Sequence, residues 1–152
     1  MSMTFSEARD AIYGNINSTW LANAVFVFGE AAELRFADVE VGTPIPQDAP
    51  WGYCQMSVTM TRQAGLRNDQ MRRYRTRGVV VVDVHVPRHS SESSHKALLM
   101  GDRLRRALEG TRDGSVWYRN VTSTPVVNNQ VFAVARVRAD FEYTEEGESD
   151  AQ

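Results

Sequence analysis

The sequence predicts an α+β domain: a mostly antiparallel or mixed β-sheet with two α-helices packed on one face and a long hairpin arm. Three observations predict it. Two segments repeat apolar residues every three or four positions, as helices do. Several others alternate with period two or run in β-branched residues, as strands do. Their order along the chain is helix, strands, helix, strands, which suits helices layered on a sheet. At 152 residues, with 42% hydrophobic and 24% charged residues, the chain suits a single domain that buries about 68–70% of its unfolded-state surface. The expected division is one domain over residues 1–144 and a flexible acidic tail over 145–152.

The first helix is expected over residues 4–20. Thr4 to Glu7 fits a capping box, and Phe5, Ala8, Ile12, Ile16 and Trp20 form its apolar stripe. The apolar run 24–28 reads as a short strand ended by Gly29. A loop follows, whose Pro44, Pro46 and Pro50 forbid regular pairing, with an edge strand near 34–41. Residues 51–62 alternate, placing Cys54, Met56, Val58 and Met60 on one face. Gly78 opens the run 79–86, in which Val80, Val82, Val84 and Val86 share a face opposite Asp83 and His85; so apolar a strand belongs in the centre of a sheet. Ser90 or Ser91 is the expected cap of a second helix reaching Gly110, with Ala97, Met100, Leu104, Ala107 and Leu108 as its stripe. Gly101 within it implies close packing, since glycine there costs about 1 kcal/mol against alanine. Strands at 116–122 and 131–144 complete the sheet, divided by Pro125 and the Asn128-Asn129 turn signal.

Net charge is −2, too small for global attraction to nucleic acid or a membrane, but the charges are blocked. Residues 62–77 hold Arg62, Arg67, Arg72, Arg73, Arg75 and Arg77 against Asp69 alone. Beyond Arg138 the chain carries Asp140, Glu142, Glu145, Glu146, Glu148 and Asp150 and nothing basic. Such blocks are either solvated or complementary to a partner. The six arginines, on a hairpin arm, are the candidate contact residues for a partner or a neighbouring copy.

No catalytic constellation emerges, and the chain is expected not to be an enzyme. His85, His89 and His95 with Asp83 match no zinc spacing, so no metal or other cofactor is expected. Cys54, the lone cysteine, lies on an apolar strand face and reads as a small buried hydrophobe. One thiol closes no internal bridge, and no run suits a signal peptide or membrane helix, which places synthesis in a reducing cytoplasm. Glycine-rich phosphate loops and nucleophile elbows are missing, and Glu145-Glu146 in a tail could not be held for acid-base work.

The segment 75–87, with its Arg-to-Gly entry and β-branched strand ending in Pro87, followed by Leu99-Met100-Gly101-Asp102-Arg103-Leu104 and on to Gly110, resembles the centre of phage tail terminator (tail completion) proteins. The opening helix 5–20, Pro50-Trp51 at a strand entry and the closing Phe141-Glu142-Tyr143 agree. The likeness covers residues 5–143 and departs from the family pattern over 30–50 and 64–71. It implies a virion protein of a long-tailed, non-contractile phage: a homo-hexameric ring on the head-proximal end of the tail tube that stops polymerisation and meets the head or neck connector. The alternatives are a head-tail connector or neck protein and, from a different class, a small nucleic-acid-binding domain using residues 62–77. Neither a membrane nor sequence-specific nucleic acid is an expected partner.

Overall fold

The structure, a computed structural model, describes residues 4–66, 71–89, 92–113, 116–126 and 131–148. Helix α1 spans Phe5–Phe28 and α2 spans Ser93–Leu108; the strands are β1 Glu33–Phe36, β2 Trp51–Leu66, β3 Met71–Pro87, β4 Arg112–Asp113, β5 Val116–Val126 and β6 Phe132–Glu148. They form one sheet in the order β1-β2-β3-β6-β5-β4. β1 runs parallel to β2 and every other pair is antiparallel, so the α+β class and the mixed sheet are as expected.

The capping box is present: Thr4 Oγ1 accepts from the Glu7 amide at 3.2 Å, and the Glu7 carboxylate accepts from the Thr4 amide at 2.9 Å. Ala8, Ile12, Ile16, Trp20 and Ala24 make the buried stripe. Ala24 extends that stripe by one more turn, so α1 continues to Phe28 and absorbs the strand expected over 24–28. A short apolar run carries no period of its own to distinguish the two. Gly29 ends the helix in the left-handed region, φ 73°, its amide bonded to the Val25 carbonyl. The Trp20 indole then donates to the Ala32 carbonyl at 2.8 Å, fixing the path into β1.

Both helices lie on one face of the sheet. A Cβ on Gly52 of β2 would come within 2.6 Å of the Trp20 ring, and one on Gly101 of α2 within 2.5 Å of Ser123 Oγ; Gly101 is therefore a close-packing site. The buried core joins the helix stripes to Val80, Val82, Val84 and Val86 of β3, Ala135, Val137, Ala139, Phe141 and Tyr143 of β6, and Tyr118 of β5. β3 is central, between β2 and β6, but only one of its faces is covered by helix.

Other boundaries move for local reasons. β3 begins at Met71, so Gly78 lies inside it, where a Cβ would meet the Ser57 carbonyl oxygen at 2.3 Å and the Phe141 ring at 2.4 Å. The alternation of β2 breaks at a bulge between Val58 and Met60 that sets Met60 opposite Arg77; Val58, opposite Gly78 just before the bulge, is exposed. β5 passes through Pro125, because β4 pairs only with Val116 and Trp117 and the proline's outer edge is free. Glu92 takes the N-cap position of α2 without a side-chain cap, while the Ser93 hydroxyl donates to the Pro87 carbonyl; Ser90 and Ser91, the expected caps, lie outside the described residues. The last strand continues to Glu148, past the boundary expected at 144, and residues 149–152 of the expected tail lie outside the described residues.

Candidate assembly surfaces

The long hairpin arm is present and has three strands. β5 stops pairing with β6 at Trp117 opposite Glu142, whereas β6 goes on beside β3 until Glu148 meets Met71. The register therefore sets the acidic end of the chain against the basic segment: Tyr74 opposite Glu145, Arg73 opposite Glu146, Arg72 opposite Gly147. On the β2 side Arg62 stands opposite Arg75 in the backbone register. Glu142 brings a carboxylate to the arm. Its carboxylate accepts from Arg77 Nε at 2.8 Å and lies 3.6 Å from Arg75 Nε and 3.8 Å from Arg119 Nη2. Of the six arginines singled out from the sequence, Arg75 and Arg77 thus gather on a carboxylate of their own chain. Arg67 lies outside the described residues, as do the side chains of Arg62, Arg72 and Arg73.

Beside Glu142, on the sheet face without helices, is a cleft of about 370 Å³ bordered by Thr59, Arg77, Val79, Arg119, Arg138 and Asp140 among others. Asp140 is held by the Asn120 amide at 3.0 Å, and Asn120 sits at a β5 irregularity with φ 53°. Arg138 has no ion-pair partner among the described residues. Trp117, 44% exposed, flanks the cleft with the Arg119 guanidinium 5.5 Å from its ring centre. The outward row Arg136, Arg138, Asp140, Glu142 is readable from the alternation of the last strand. Arg119 joins it only through a strand pairing that the local sequence does not encode.

Further along the same face, Trp51 stacks on His85 with ring centres 4.1 Å apart, and Phe132 packs edge-on against both. The Trp51 indole nitrogen is buried without a hydrogen-bond partner among the described residues. Burial holds the His85 imidazole below its ordinary value, with the Asp83 carboxylate pulling the other way. Asp83 is itself engaged by Arg136, which donates to both carboxylate oxygens at 2.8 and 3.0 Å. His89 and His95 are exposed, away from this cluster, and no three His, Cys, Asp or Glu among the described residues gather as a metal site would need. Cys54 is fully buried, and burial pushes its thiol up to about 12, which removes thiolate chemistry near neutral pH. No helix among the described residues is long and apolar enough to cross a membrane.

The β1 edge carries a loop, residues 37–50, that sequence reading left as an irregular stretch. Arg35, almost fully buried, donates to the Thr43 carbonyl at 3.0 Å, the Pro44 carbonyl at 2.7 Å and Thr43 Oγ1 at 3.2 Å, while its Nε engages the Glu33 carboxylate. At the loop's start Asp38 accepts from Arg9 Nε at 2.7 Å and the Tyr13 hydroxyl at 2.9 Å, and these bonds, Arg9 first, hold its carboxyl below the ordinary range. A loop pinned at its start and at its middle nonetheless presents Val39, Val41 and Ile45 at 47%, 42% and 44% exposure. With Phe36, Trp51 and Tyr53 they border an apolar groove.

No family model matches the chain, and no curated protein matches it. Solved structures do match: one, 14% identical, aligns over 93% of this chain and 96% of its own with a TM-score of 0.60. Coverage that complete of both chains makes the whole α+β domain, and not a fragment of it, the shared unit.

Proposed function

We propose that the protein is a structural subunit of the tail-terminator type, which closes as a ring on the head-proximal end of a phage tail tube, ends its polymerisation and offers a surface to the head or neck. The observation that carries this reading is a two-layer domain with one sheet face left without helix cover and a three-stranded arm projecting from it. A capping subunit needs shape and charge complementarity on such surfaces and no catalytic group. The segments that resemble the family fall on the frame of the fold, in β3 and α2. The nucleic-acid alternative loses ground, because Arg75 and Arg77 already face Glu142 and the acidic end of β6 runs beside the arginine segment. Electron microscopy of tail-tube protein polymerised with and without this protein is the test. Tubes of limited length bearing a ring at one end are expected; unlimited elongation in its presence would overturn the reading.

A further inference from the structure

Two surfaces of this subunit complement one another and cannot meet within one copy. The loop 37–50 carries Asp38, Glu40 and Asp48 and no basic residue. Asp38 is taken by Arg9 and Tyr13, whereas Glu40 and Asp48 have no ion-pair partner among the described residues. Between these carboxylates stand the exposed Val39, Val41 and Ile45. The cleft on the open sheet face carries the opposite net sign: Arg77, Arg119 and Arg138 outnumber Asp140 and Glu142 in its lining, Arg138 has no ion-pair partner among the described residues, and the exposed Trp117 stands next to Arg119. The loop joins β2 at Trp51 and the cleft meets β2 at Thr59. Eight residues of extended strand are roughly 26 Å, and the Arg35 clamp prevents the loop from crossing that distance.

We propose that the clamped loop 37–50 of one copy docks in the Arg119/Arg138 cleft of the next copy. Val39, Val41 and Ile45 would cover the Trp117 ring while Glu40 and Asp48 approach the guanidiniums. The charge match between the two surfaces selects a second copy of this chain as the occupant. A contact between two different patches is heterologous, and repeated around an axis it closes a ring when its rotation permits. The inference deepens the ring reading and rests on it only for closure. Apolar side chains held exposed by a buried arginine are the expected mark of an interaction surface.

The test uses the isolated full chain, with no tail-tube protein, so that failure to cap tubes and failure of this contact are separate results. Sedimentation velocity at low salt is expected to show concentration-dependent self-association that weakens as salt is added. The loop variant Glu40→Arg/Asp48→Arg and the cleft variant Arg119→Glu/Arg138→Glu are each expected to weaken association by about tenfold or more, with circular dichroism and thermal melting like the parent. An equimolar mixture of the two is expected to restore it, because each reversed loop then meets a reversed cleft. A parent chain monomeric at all concentrations, variants that associate like the parent, or a mixture no better than its components would overturn the proposal. So would a normal loop variant beside a failing cleft variant, which would assign the cleft to a different acidic surface.

Discussion

Arg35 shows how one side chain fixes a surface. Its guanidinium is buried under the backbone oxygens of Thr43 and Pro44, and charge-assisted bonds of this kind contribute about 2 kcal/mol in total once desolvation is counted. Arg35→Ala is expected to lower unfolding stability by about that amount and to make residues 37–50 cleavable by protease under native conditions. An unchanged digestion pattern would show that the loop is held by other contacts. His85 makes a prediction in pH. Burial lowers its pKa in the folded state from the ordinary 6.5, so below that value the unfolded chain binds a proton the native state refuses, and stability falls as the solution is acidified. The loss is expected as pH falls through and below 6.5, and is expected to flatten in His85→Phe, which preserves an aromatic stack on Trp51. Asp38 also loses stability in acid, but only as pH falls from its ordinary 3.8 downward.

At the scale of elements, the third strand of the arm decides what the acidic end of the chain does. Sequence reading treats residues beyond 144 as a tail because they are charged and lack large apolar groups. The order of residues 145–148 comes from the β3 ladder opposite them, a partner more than seventy residues away in sequence, and local composition does not report pairings of that range. Truncation after Tyr143 is expected to leave the domain folded on its core while removing hydrogen-exchange protection from the backbone of 71–75. Retained protection there would mean that β2 alone holds the strand. What was legible had a period or a stereochemical mark: the Thr4/Glu7 box, the valine face of β3, the close approach at Gly101. What was not legible was a boundary set by a neighbour: the far end of α1, the passage of β5 through Pro125, the bulge between Val58 and Met60.

For the whole molecule, the candidate site was half legible. The arginine block of residues 62–77 was visible as composition, but Glu142, the carboxylate that Arg75 and Arg77 face, belongs to a strand that lies beside it only in the folded sheet. The loop 37–50 gave no signal, because its importance comes from the clamp beneath it and not from its own pattern. The strand order makes a prediction at this scale: a chain ending at residue 126 keeps both helices and five of the strands but lacks β6, which lies between β3 and β5. Such a fragment is expected to show little secondary structure by circular dichroism and no cooperative melt, since neither half of the sheet has a closed core without it.

That central place of β6 also sets a schedule for the nascent chain. The strand joining the two halves of the sheet follows all the other described strands in chain order, so the ribosome has translated both helices and those five strands before the core can close. Until then the inward valines of β3 and the apolar stripes of both helices wait without their main partner. A message cut short before β6 yields a product that never acquires the sheet, and a prematurely terminated copy is excluded from any assembly that recognises the folded edge.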